Sequence, residues 1–171
     1  METHAAVAAC KFLGETAGFW VQTVILFVSA IAAIWVIYAN GHAEKRRATV
    51  DLVIQQKQDK ELQDALLHIR ELREKKVSNF AKYLEDHNSV DFKAIIRVLN
   101  NYEFIASGIE EGAFDEELFK RMQHSVLLNN WGALCGFVME FRRQNSLPTL
   151  FQEFQKLARK WESHPLKKYD F

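Results

Sequence analysis

Proline is nearly missing from this chain, with 2 in 171 residues, and glycine is sparse at 7. A sandwich or barrel needs a tight turn every ten residues or so, and these two residue types are the usual material for such turns. Their scarcity excludes a turn-rich all-β chain and points to helices. Cysteine is equally rare. Cys10 and Cys135 stand far apart in the chain, so neither a disulfide framework nor a CxxC metal knuckle is available. An excess of one charge is missing too, because 22 basic and 22 acidic side chains cancel. A protein that tracks phosphates usually carries a basic excess or stripe, so no nucleic acid is expected as a partner.

Catalytic and cofactor signatures are also absent. The histidines at 4, 42, 68, 87, 124 and 164 never fall three or four residues apart, which removes HExxH and any paired-histidine metal face. The Glu-x-x-His element of di-iron bundles does not occur. No glycine cluster leads into Gly-Lys-Ser/Thr, and there is no GxSxG elbow. No catalytic residue, cofactor or metal is therefore assigned.

One long apolar run is present. Between Glu15 and Glu44 lie 28 residues without a formal charge, and Phe19 to Ala39 forms its centre. At ~1.5 Å per residue those positions span about 31 Å, the thickness of the hydrocarbon layer. Phe19 and Trp20 at one end, with Trp35 and Tyr38 at the other, stand where amphipathic rings anchor at membrane interfaces. A signal peptide competes, since Ala30-Ile31-Ala32 has a cleavage-site form. More apolar sequence follows it, however, and Glu2 and Glu15 outnumber Lys11 upstream. The expectation is a retained transmembrane helix over 17–42 behind a short tail, 1–16, with the lipid bilayer as partner. Lys45-Arg46-Arg47 follows at once, and the positive-inside bias puts the N-terminus outside and the C-terminal domain in the cytoplasm of an inner membrane.

Downstream, 43–76 reads as a juxtamembrane helix. Leu62, Ala65, Leu66, Ile69 and Leu72 make one apolar stripe along it. That stripe and the small residues Ser29, Ala30, Ala32 and Ala33 in the span are two candidate seams for a homo-oligomer. A helical bundle is expected over 77–162, followed by a tail, 163–171. Its first helix is placed over Val77–Leu84. Ser89 is a good N-cap for a long helix to about Glu110, with Gly112 to end it in a left-handed turn. Asp115 looks like the next N-cap, with Phe114 and Phe119 as a hydrophobic staple. Helix is expected from Leu118 to about Leu128 and again from Trp131 to Gln144. After Pro148 comes a last helix bearing Leu150, Phe151, Phe154, Leu157, Ala158 and Trp161 on one stripe. The fold class is thus all-α: a single N-terminal transmembrane helix, then a cytoplasmic bundle of about five helices. Its core should hold Leu99, Tyr102, Phe119, Trp131, Phe137, Phe151, Phe154 and Trp161.

One polar constellation stands out. Glu103 follows Leu99 by four residues and Ile96 by seven, so it falls on or beside the buried face of the central helix, next to Asn100 and Asn101. A carboxylate there needs a partner, because an isolated buried charge costs several kcal/mol. Arg97, Arg142 and Arg143 are candidates. The cluster Asn100, Asn101, Glu103, Arg142 and Arg143 reads either as a packed network fixing helix register or as a functional site.

The stretch Leu99-Asn100-Asn101-Tyr102-Glu103-Phe104-Ile105-Ala106-Ser107-Gly108-Ile109, the helix start Asp115-Glu116-Glu117, the upstream Arg47 to Leu52, the pair Arg142-Arg143 and the closing Phe154 to Trp161 resemble an uncharacterised bacterial and prophage-borne domain family. Its members often carry one N-terminal membrane span, and the resemblance covers about 36–162. Gln155 departs from the acidic residue expected there. The resemblance implies no catalytic residue. Together with the anchor it implies a membrane-tethered, non-enzymatic interaction module, in phage exclusion or host defence, whose partner is a membrane protein, a phage component or a second copy. The alternative is a tethered enzyme acting on a nucleotide or lipid through Glu103 and Arg142 or Arg143.

Overall fold

The computed structural model describes residues 11–12, 15–75 and 80–166. The chain divides into two units, Met1–Glu44 and Lys45–Phe171. In the first, two-residue strands β1 (Lys11–Phe12) and β2 (Glu15–Thr16) pair antiparallel, Lys11 with Thr16 and Phe12 with Glu15. Helix α1 (Ala17–Gln58) follows. Its uncharged part keeps its apolar side chains on the surface: Phe27 is 67% exposed, Trp35 70% and Ile37 72%. By length and composition the segment is a helix long and apolar enough to cross a membrane. Thr23 closes one of its polar gaps by donating to the Phe19 carbonyl.

The second unit is all helix and turn among the described residues. The single helix expected over 43–76 is two. Asp59 leaves the helical conformation at ψ 94° and its carboxylate accepts the Leu62 N–H at 2.9 Å, which starts α2 (Lys60–Glu74). The apolar stripe of α2 is not a free seam. Leu62, Ala65, Ile69 and Leu72 are buried against the bundle's own core, and Leu66 packs beside them. Opposite α2 runs α3 (Val90–Glu110), N-capped by Ser89, whose Oγ accepts from Phe92 N. His68 meets Asp91 at 2.6 Å while Arg97 meets Glu61 at 2.6 Å, so the two helices are antiparallel. Gly112, at φ +70°, turns the chain out of α3.

The helix expected over Val77–Leu84 is a 3₁₀ turn at Phe80–Leu84, and 76–79 lie outside the described residues. Phe80 and Leu84 both reach the core, which a short turn satisfies without a full helix. The break expected near Leu128–Trp131 is absent: α4 runs unbroken from Glu116 to Asn145. Asn130 would ordinarily compete with the helix by bonding its own backbone, but here its amide reaches Tyr102 Oη at 2.9 Å. Asp115 caps α4 as expected, accepting from Leu118 N. Phe114 packs edge to face on Phe104, and Phe119 packs tilted against Trp161. The last helix starts later than the stripe suggested. Leu150 and Phe151 belong to the preceding turn, Phe151 at φ +57°, and α5 spans Gln152–Ser163. The left-handed backbone at Phe151 lets its ring enter the core.

The core lies where α3, α4 and α5 meet. All eight expected core residues are buried, with Leu99, Phe119, Phe137, Phe154 and Trp161 fully so. Each such side chain contributes about 1.5–3 kcal/mol on leaving water. The stretch of α1 beyond Glu44 joins this core through Val53 and Thr49. Thr49 is fully enclosed; its Oγ1 donates to the Lys45 carbonyl and accepts from Asp115 N at 2.8 Å.

Candidate functional site

The polar constellation gathers at the start of α5. That helix begins without a side-chain cap of its own, since Phe151 precedes it. Its first amides are left without intrahelical partners. Glu103, half-buried on α3, supplies them: Oε1 accepts from Glu153 N at 3.2 Å and Oε2 from Phe154 N at 2.8 Å. A carboxylate across a helix N-terminus also meets the positive end of the helix dipole.

Arg142, near the end of α4, closes the other side. Its Nε donates to the Leu150 carbonyl at 2.7 Å and one terminal nitrogen to Gln155 Oε1 at 2.8 Å, while the second is enclosed without an acceptor among the described residues. Burial pushes the guanidinium below its usual range, and the Glu103 charge opposes that shift. Gln155, which stands where an acidic residue was expected, serves as the acceptor. The cluster thus joins α3, α4 and α5 at one corner.

The remaining expected members lie elsewhere. Asn101 accepts from Gln56 Nε2 at 3.1 Å, linking α3 to α1, and its own amide nitrogen is enclosed without a partner among the described residues. Asn100 is exposed. Arg143 is exposed as well and pairs with Glu140 at 2.6 Å, which holds the Glu140 carboxyl at about 2. Arg97 is occupied by Asp59 and Glu61.

Two polar groups that the core contains were not among the expected site residues. Asn130 is 6% exposed and bonds Tyr102, whose hydroxyl is pushed by burial to about 12. An asparagine inside an otherwise apolar run was the available signal. Trp161 donates through Nε1 to Glu116, which also pairs with Lys160. Among the described residues no three histidine, cysteine or acidic side chains converge to hold a metal ion.

A family model, Domain of unknown function (DUF4760), matches residues 23–161. The chain belongs to that family. No curated protein and no solved structure matches it. The DUF4760 match starts inside the apolar part of α1 and ends on Trp161 in the core of α5, so it takes in both the exposed apolar helix and the bundle.

Proposed function

We propose that this DUF4760 chain is a membrane-anchored interaction module whose helical bundle works on the cytoplasmic side of an inner membrane. One observation carries the reading: a helix whose apolar side chains from Phe19 to Tyr38 are all surface, in a chain whose bundle has a complete core of its own. Leaving that much apolar area in water is unfavourable, and a bilayer removes the cost. The positive run Lys45-Arg46-Arg47, all three exposed, favours the cytoplasmic side for the bundle. Glu103 and Arg142 are engaged in holding the start of α5, which favours binding over chemistry at that corner.

Topology is the direct test. In spheroplasts of cells carrying the full chain with Cys135 changed to Ser, an impermeant maleimide should label Cys10. A cysteine placed at Ser163 should react only after the membrane is opened. Labelling of the position-163 cysteine in intact spheroplasts refutes the orientation, and recovery of the chain in the soluble fraction after alkaline extraction refutes the anchor. The resemblance to prophage-borne sequences extends the proposal to exclusion of incoming phage. Expression should then lower the plating efficiency of at least one phage in a panel, and cross-linking in native membranes should capture a membrane or phage protein on the bundle.

A further inference from the structure

Between α2 and α4 the bundle holds a cavity of about 460 Å³, floored by Tyr102 of α3 and Asn130 of α4. This volume falls in the range of small-molecule sites. The floor is unusual for a helical core. Asn130 is one of two buried polar residues among those described; the other, Thr49, has its hydrogen bonds satisfied inside the fold. Asn130 is only half satisfied. Its NH2 donates to Tyr102 Oη, and among the described residues no donor meets its carbonyl and no acceptor meets the Tyr102 proton. A donor and an acceptor therefore sit side by side on the cavity floor, the complement of a heterocyclic or amide edge that offers one of each.

The walls add two more features. Leu66 and Val126 supply apolar surface for a flat ring. Lys57, Arg70 and Arg73 also line the cavity, with Glu74 the one carboxylate there. Glu74 is taken by Arg70 at 2.9 Å, which leaves Lys57 and Arg73 without a carboxylate within ion-pair distance among the described residues. In a chain of zero net charge, two unpaired cations on a polar cavity favour an anionic ligand.

We propose that this cavity binds a nucleotide, its base edge on Tyr102 and Asn130 and its phosphates on Lys57 and Arg73. The site is separate from the Glu103 corner. Isothermal titration of the full chain in detergent micelles with ATP, GTP, CTP and UTP, and with adenosine and inorganic pyrophosphate as the two halves, tests it. At least one nucleotide should bind saturably, and both halves should bind at least tenfold more weakly. Lys57→Ala and Arg73→Ala change exposed side chains and should each weaken that nucleotide at least fivefold with the thermal midpoint unchanged. Tyr102→Phe should weaken the nucleotide and leave pyrophosphate unaffected. The proposal is overturned if no nucleotide binds at millimolar concentration, if pyrophosphate binds as tightly as the nucleotide, or if neither cation variant alters binding.

Discussion

Changing Glu103 to Gln alters one atom of the side chain and tests how α5 is held. The carboxylate accepts two backbone N–H groups, at 3.2 and 2.8 Å, one on each oxygen. Gln keeps one oxygen. It can replace one charge-assisted bond with a neutral one, and it turns an NH2 towards the other amide, where donor faces donor. A hydrogen bond to a charged group contributes about 1.5–3 kcal/mol and a neutral one about 1. The favourable contact with the helix dipole, about 0.3–1 kcal/mol, is also lost. Glu103 is only half-buried, so water recovers part of this, and the expected loss is about 1–3 kcal/mol. Urea unfolding of the full chain in micelles, followed by tryptophan fluorescence, should show a lower midpoint at unchanged slope. Trp161 and Trp131 both sit in the affected core. Hydrogen exchange should locate the effect, with the amides of Glu153 and Phe154 losing protection before those of α3. An unchanged midpoint together with unchanged exchange at these two amides refutes the capping role.

The glycines give opposite signs. A Cβ on Gly108 would overlap the Phe114 ring, so Gly108→Ala should lower the thermal midpoint by the equivalent of about 1–3 kcal/mol. Gly132→Ala and Gly136→Ala, inside α4 with open space around them, should each raise it by about 0.5–1 kcal/mol. Changing Leu66 and Ile69 together to Gln should unfold the bundle and not merely separate copies, because Ile69 is completely enclosed; a folded chain with reduced mass in light scattering contradicts this. Glu140 is held at about 2 by the hydrogen bond from Arg143, below its ordinary 4.5. A folded value below the unfolded one means that the stabilisation is present above pH 4.5 and fades as pH falls to about 2. Glu140→Gln should flatten that part of the acid-unfolding curve.

Much of the fold was legible because the core helices are periodic and end on specific chemistry. Ser89 and Asp115 cap the helices they were assigned, and Gly112 takes the left-handed turn. The misplaced boundaries arise where tertiary contacts overrule local preference. Asn129-Asn130 reads as an interruption until Tyr102 offers Asn130 a partner from 28 residues away. Asp59 reads as one more charge in a solvated helix, yet Arg97 of α3 reaches it at 3.2 Å and it ends α1. Leu150 and Phe151 fit the stripe of α5 but lie in the turn before it. At the polar corner, spacing placed Glu103 beside the core. It could not reveal that the donors are the backbone amides of Glu153 and Phe154, because such donors belong to every residue and leave no mark on composition.

Thr49 fixes where the chain can be severed. A protease cutting after Glu44 would leave Thr49 and Val53 with the fragment that carries the bundle, and that fragment would keep the acceptor for Asp115 N and a fully lined core. A cut after Gln58, at the seam between α1 and α2, would strip away both residues and with them the acceptor for Asp115 N. Shedding at the first position should release a bundle with its core intact, and at the second a bundle with its core opened. Two cleavage sites only fourteen residues apart would thus send the released domain to opposite fates.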